Sequence, residues 1–255
     1  MSHKTLPLQW QSYLPGKNSL HNKIILITGA ADGIGKAVSM AAAKQGATVI
    51  MLDKKTRHLE KVYDSIIDQG FTEPVMLPFD LLETTPQSID IILEGILTDF
   101  GRLDGLLHNA AELGSPSPLD QYDIEYWQKV MLVNLQAPYF LTRGLLPALK
   151  ESKQAQVLFT SAKCGRAPSA YWGAYGVAYG GIEVQMKIWA EELENPSDII
   201  INSIDPGAVR TSFRRRSHPG ESQDSIVPPQ DITNAYMMLF AGEHSHFGEQ
   251  LTIQE

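Results

Sequence analysis

Between Ile24 and Gly35 an apolar run gives way to Thr28-Gly29-Ala30-Ala31-Asp32-Gly33-Ile34-Gly35 and then to a helical pattern. Glycines at this spacing let the chain turn tightly and pack the following helix close to a sheet, so that a phosphate can approach bare backbone. The unsatisfied N–H groups at the helix start and the positive end of its dipole both favour a pyrophosphate. The next apolar run ends in an acid, Asp53, whose carboxylate can accept both hydroxyls of a ribose and repel a 2′-phosphate. Turn and acid together predict a dinucleotide cofactor, NAD(H) in preference to NADP(H). Lys54 and Lys55 follow directly and can neutralise a 2′-phosphate, which keeps NADP(H) open. The competing reading of the same residues is an ordinary helix-capping loop and a surface aspartate. A second candidate is Asn134, because Pro138 has no N–H to offer the carbonyl four residues back. That carbonyl is free for a water or another group; the alternative is a kink that serves helix packing alone.

Positioning such groups requires a frame, and the order of apolar runs supplies one. Short runs bounded by turn residues alternate with segments of helical period, which predicts βαβ units and an α/β fold of the doubly wound, mainly parallel, Rossmann type. Strands are expected at Ile24 to Thr28, Ala47 to Leu52, Val75 to Phe79, Leu103 to His108, Val157 to Ser161, Ile199 to Ile204 and Glu249 to Ile253. Helices are expected after Gly33, around Leu59 to Ile67 with Gly70 closing it, and from Thr85-Pro86 to Phe100. Others are expected from about Asp123 to Leu149 with Pro138 inside, from Tyr171 to Leu193 and from Asp231 to Ala241. No repeat or linker divides the chain, so residues 23–255 are expected to form one domain preceded by an N-terminal extension, residues 1–22.

Composition limits the partners. The 255 residues are 43% hydrophobic and 20% charged, a globular balance. A net charge of −8 disfavours nucleic acid and anionic lipid, which are held by clustered Lys and Arg. A single cysteine, Cys164, leaves no intramolecular disulfide and no multi-cysteine zinc site, and the seven histidines show no metal-ligand spacing. No stretch reaches ~18 uninterrupted apolar residues, and the first 23 residues have no signal-peptide core. A cytoplasmic protein with a small-molecule substrate, no metal and no membrane is expected.

The motifs resemble the short-chain dehydrogenase/reductase family. Its Thr-Gly-x-x-x-Gly-x-Gly motif is matched by Thr28 to Gly35, and Asp80-Leu81 looks like its adenine-contacting acid. His108-Asn109-Ala110-Ala111 is similar to its Asn-Asn-Ala-Gly, with Ala111 departing from the glycine; Asp205-Pro206-Gly207, followed by Val209 and Thr211, resembles its Pro-Gly motif. Several segments, among them Trp172-Gly173-Ala174-Tyr175, further resemble the bacterial YciK-type oxidoreductases. The resemblance implies that Thr28, Gly29, Ala31, Asp32, Gly33, Ile34, Gly35, Asp53, Asp80, Leu81, Asn109, Ala110, Pro206, Gly207, Val209 and Thr211 hold the cofactor.

In that family an Asn, a Ser, a Tyr and a Lys cooperate in moving a proton while a hydride moves to or from the nicotinamide. Tyr175 matches the Tyr and Asn134 the Asn, whose kinked helix anchors a relay water in the family. The other two positions differ: Ala162 stands where the Ser is expected and Tyr179 where the Lys is expected, which removes a hydroxyl and a cation. A slip at the strand end could bring in Ser161, and Lys163 could swing in as a cation, although a lysine there is more often solvated. Arg210, Arg214, Arg215 and Arg216 fall in the family's lid segment, suited to an anionic substrate or simply solvated. His108 is expected to be structural. Trp172, Met186, Ile188 and Trp189 are expected in the core or in a subunit interface of a homodimer or homotetramer. The implied function is hydride transfer between a nicotinamide cofactor and a carbonyl or secondary alcohol. The alternative is a catalytically lapsed dinucleotide-binding protein acting as a sensor or oligomer partner.

Overall fold

The computed structural model describes residues 6–193 and 199–254. Eight strands form one sheet: β1 (Leu6–Pro7), β2 (Ile24–Thr28), β3 (Thr48–Asp53), β4 (Val75–Pro78), β5 (Gly105–His108), β6 (Ala155–Thr160), β7 (Ile199–Asp205) and β8 (Gln250–Thr252). Their order is β1-β8-β7-β6-β5-β2-β3-β4, and every neighbouring pair is parallel. This is the doubly wound α/β fold expected from the alternating pattern. The chain winds outward from β2 to β4 and then returns to lay β5 on the other side of β2. The crevice above the carboxyl ends of β2 and β5 is therefore the switch point, where such sheets bind ligands.

Helices cover both faces. On one lie α1 (Gly33–Lys44) and α2 (Thr56–Asp68); on the other lie α3 (Pro86–Phe100), α4 (Ile124–Met131) and α5 (Ala137–Lys150). Two short helices, α6 (Lys163–Arg166) and α8 (Ser212–Ser217), flank the long α7 (Gly173–Leu193) in sequence, and α9 (Thr233–Ala241) precedes β8. Period-two alternation divides the strand side chains between the faces. Ile25 and Ile27 of β2 pack with Val38, Leu59 and Phe240, whereas Ile24 and Leu26 pack with Ile89, Leu141 and Met186.

The single long helix expected from 123 to 149 is instead α4, a π-helical turn over Leu132–Gln136, and α5. Pro138 cannot close the bond to the Asn134 carbonyl, and the wider turn accommodates that loss. The pattern did not show β1, α6 or α8, each too short to display a period. Residues 6–22, set apart in sequence as an extension, lie against the sheet: Leu8 and Leu20 are buried, Leu8 N–H donates to the Thr252 carbonyl at 2.8 Å, and Trp10 Nε1 donates to that of Ile253 at 3.0 Å. Among the described residues no helix is long and apolar enough to cross a membrane, and no His, Cys, Asp and Glu cluster is arranged to hold a metal.

Candidate active site

A cleft of 1310 Å³ opens over the switch point. Its floor is the turn between β2 and α1. Gly29 and Gly33 adopt φ of +70° and +55°, which L side chains rarely take. A Cβ at Gly29 would meet the Ala110 backbone at 2.9 Å, and one at Gly35 would strike the Gly29 carbonyl oxygen and Asn109 Nδ2. Bare backbone is thus obligatory on both sides of the turn, a cradle that fits a pyrophosphate. Asp32 caps α1 by accepting from Gly33 N–H at 2.7 Å. Thr28 holds the switch point together: its Oγ1 accepts from the N–H groups of Asn109 (2.9 Å) and Ala110 (3.0 Å) and donates to the Leu107 carbonyl at 3.3 Å.

At the end of β3, Asp53 Oδ2 accepts from Ala31 N–H at 3.2 Å and Oδ1 from Lys55 N–H at 2.9 Å. The carboxylate thus braces the glycine turn while bordering the cleft. No side chain caps the N-terminus of α2, and Lys54 and Lys55 stand exposed beside it. Asp80 caps the turn after β4 through Leu82 N–H at 3.1 Å. On the far wall, Asp205 Oδ1 accepts from Gly207 N–H at 2.9 Å, and Gln254 Nε2 donates to the carbonyls of Pro206 (2.7 Å) and Ala208 (3.1 Å). Thr211 Oγ1 caps α8 at Arg214 N–H, 3.0 Å.

The structure gathers Gly29, Asp32, Gly33, Ile34, Asp53, Asp80, Leu81, Asn109, Ala110, Tyr175, Pro206, Gly207, Val209 and Thr211 around this one cleft. The other four proposed residues act from behind it: Thr28 and Gly35 in the packing above, Ala31 through its bond to Asp53, and Asn134 from beneath. Asn134 is buried, its Oδ1 accepting from Glu112 N–H and its Nδ2 donating to the Glu112 carbonyl, both at 2.8 Å. It pins the loop after β5 against the π turn.

Tyr175 sits in the cleft at only 6% exposure, its ring 4.4 Å from that of Tyr179 one turn on. Its hydroxyl shares a hydrogen bond with that of Tyr179. Burial above all, then the neighbouring Tyr179, raises the Tyr175 phenol well above its ordinary value of 10.0. The ammonium expected at 179 would act in the opposite sense. The Asp205 carboxylate acts in the same sense as burial and raises the phenol further.

Ser161 does not replace the missing hydroxyl at Ala162. It borders the cleft, but its hydroxyl donates to buried Glu183. Glu183 also accepts from Arg166 Nε and from Ser203 Oγ, each at 2.6 Å, and Arg166 reaches the Leu251 carbonyl at 3.0 Å. This buried network, invisible as a motif, joins α6, α7, β7 and β8. His108 is structural: it is buried, stacks on Phe159 at 4.7 Å, shares a 2.8 Å hydrogen bond with Thr142 Oγ1, and is held neutral down to about 3 by burial.

The lid lies over Tyr175. Ser212 Oγ donates to Asp32, Phe213 packs on Tyr175 at 5.6 Å, and His218 packs on Trp172 at 5.5 Å. Trp172, expected in the core or an interface, packs against a buried cluster and also borders the cleft. Glu112, Phe213, His218 and Gln254, which sequence reasoning missed, border it too. No motif marks these four; they enter because loops from distant parts of the chain converge there.

A family model described as short chain dehydrogenase matches residues 23–222. The chain is 36% identical over 231 residues to the uncharacterized oxidoreductase YciK of Escherichia coli (strain K12), spanning 91% of each protein. A short chain dehydrogenase structure from Pseudomonas syringae superposes with a TM-score of 0.92 at 39% identity, covering 95% of this chain and 99% of that one. A short chain dehydrogenase from Shigella flexneri 2a, complexed with NADP, gives 0.89 at 34% identity over 94% and 100%.

Proposed function

This chain belongs to the short-chain dehydrogenase family, and from that premise we propose that it is an oxidoreductase acting on a carbonyl or secondary alcohol with NADP(H). When bound, the nicotinamide supplies or takes up the hydride. The observation that carries the reading is the phenol of Tyr175, buried in the cleft between the glycine cradle and the lid. Tyr175 exchanges the proton at the substrate oxygen; Asn134 positions the loop through Glu112 that faces it. The raised phenol makes Tyr175 a proton donor over the physiological range, which suits reduction more than oxidation.

The preference for NAD(H) drawn from Asp53 gives way to NADP(H). Both Asp53 oxygens already accept backbone N–H groups, and the exposed Lys54 and Lys55 flank an uncapped helix N-terminus that suits a 2′-phosphate. The related Shigella flexneri protein, complexed with NADP, supports the same choice. Calorimetry tests it: NADPH is expected to bind tighter than NADH, and equal or tighter NADH binding refutes it.

Exposed Tyr139, Val177, Val184 and Ile188 on α5 and α7 support self-association of the chain. The second reading, a cofactor-binding protein without turnover, is favoured by Ala162 and by the Tyr175 hydroxyl being turned to Tyr179. NADPH binding with no hydride transfer across a carbonyl and alcohol panel would establish it.

A further inference from the structure

Beyond Tyr175 the cleft changes character. Trp172 stands 5.5 Å from Tyr175 and 5.5 Å from His218, and Phe213 stands 5.6 Å from Tyr175, all with the ring planes tilted to one another. Ala162, without a hydroxyl, borders the cleft and packs against the same buried cluster as Trp172 and Phe213. Burial and the Arg214 charge lower His218, so at neutral pH it joins these rings uncharged.

The structure also sorts the lid arginines. Arg214 is spent on Glu221, with bonds of 2.6 and 2.7 Å. Arg210 and Arg215 lie outside the cleft lining. Arg216 borders the cleft with its guanidinium 5.8 Å over the Phe213 ring, and Lys163 borders it from α6. Neither enters an ion pair among the described residues. The acids that border the cleft are engaged elsewhere: Asp32 with Ser212, Asp53 and Asp80 with backbone N–H groups, Glu112 near Lys54, and Asp205 with Gly207. This end therefore presents two cations without an ion-pair partner beside an aromatic wall, complementary to a flat apolar body that carries negative charge. The volume leaves room for it beside a dinucleotide, since single-ligand clefts commonly enclose roughly 300–1,000 Å³.

Resting on the hydride-transfer reading above, we propose that the substrate is a planar aromatic ketone, or the matching alcohol, bearing a carboxylate or similar anion. Trp172, Phe213 and His218 hold its ring, and Lys163 and Arg216 neutralise its charge.

Calorimetry on the full chain saturated with NADP⁺, which cannot reduce a ketone, reads binding without turnover. Three probes separate the two features: benzoylformate has both ring and anion, acetophenone only the ring, and pyruvate only the anion. Benzoylformate is expected to bind about tenfold tighter than either of the others, the gain from adding a charge contact or a ring contact. The double variant Lys163→Gln with Arg216→Gln should lose about tenfold for benzoylformate and nothing for acetophenone. Phe213→Leu, on the lid surface, should weaken both aromatic probes and spare pyruvate. Equal binding of the three probes, binding of none, or full affinity in the double variant overturns the proposal. The same titrations without cofactor keep the two readings apart. Selective benzoylformate binding that is never followed by reduction with NADPH removes the hydride-transfer reading and leaves the ligand class standing. Reduction of neutral aliphatic ketones with no selectivity for benzoylformate does the reverse.

Discussion

Replacing Tyr179 by lysine tests whether the two altered positions limit the chemistry. The rings of Tyr175 and Tyr179 lie 4.4 Å apart, so a lysine at 179 can bring its ammonium to about 4 Å from the Tyr175 oxygen. A unit charge at that distance, in an effective dielectric near 20, contributes about 4 kcal/mol, or roughly three pKa units. Asp205, whose charge already reaches both phenols, helps hold the buried ammonium. The sign follows from which form works. Alcohol oxidation needs ionised Tyr175, and because the phenol is raised in the wild type, its oxidation rate should climb only at alkaline pH; the new cation favours the ionised form and should move the profile to lower pH. Restoring the hydroxyl as well, in Ala162→Ser with Tyr179→Lys, should raise turnover by an amount within the ~10² to 10⁴ range of acid–base catalysis. The single variants should gain less, since groups that act as a unit are non-additive. Steady-state absorbance of NADPH on ketone and alcohol panels, over a pH series, reads all of this. Adding Tyr175→Phe to the double variant should cost at least ~10² in rate with cofactor affinity nearly unchanged. A wild type already as fast as the double variant would refute the reasoning. So would a folded, NADPH-binding double variant with neither a gain nor a shifted profile.

Two further outcomes follow from the packing. Glu183→Ala leaves the Arg166 guanidinium buried without its carboxylate and should cost about 3–5 kcal/mol in denaturant unfolding, whereas Glu183→Leu with Arg166→Met should cost less; equal losses would mean that the pair is not what the cost measures. Light scattering should give at least twice the 28.2 kDa mass of one chain, and Val184→Glu with Ile188→Glu should return the mass to that of a monomer; a wild-type monomer counts against self-association through α5 and α7.

The glycine-turn half of the candidate site was legible in sequence because it is made of backbone. Gly29, Gly33 and Gly35 are demanded by positive φ or by the absence of room for a Cβ, and Thr28 by two amides at the switch point, so each appears as a residue type at a spacing. The half around Tyr175 and the lid was not. Trp172 and Phe213 read in sequence as ordinary apolar residues, and His218 sits in an irregular stretch. They meet only because the lid folds back over α7. Only a slip at the strand end could have made Ser161 available, and its hydroxyl is instead bonded to Glu183. The kink at Asn134 was anticipated from Pro138, but its service in holding Glu112 depends on a loop 22 residues away in sequence.

The same division explains how the fold accommodates the side chain at 179. α6 and α7 cross through backbone at Gly165, where a Cβ would meet the Tyr179 Cβ at 2.7 Å and the Gly180 nitrogen at 2.9 Å, so that crossing does not depend on which side chain stands at 179. Beyond the crossing, the Tyr179 ring joins Leu113, Val130, Cys164, Ala174 and Tyr175 in a buried cluster, against which Trp172, Phe213 and Ala162 pack. A lysine at 179 would have to be desolvated there, whereas a phenol is accepted at the cost of one shared hydrogen bond. The missing cation and the aromatic wall are thus two aspects of one arrangement. The positive groups Lys163 and Arg216 border the cleft, where they act on what binds. Replacing Tyr179 by lysine should therefore shift the Tyr175 profile and leave the preference for an anionic ring in place.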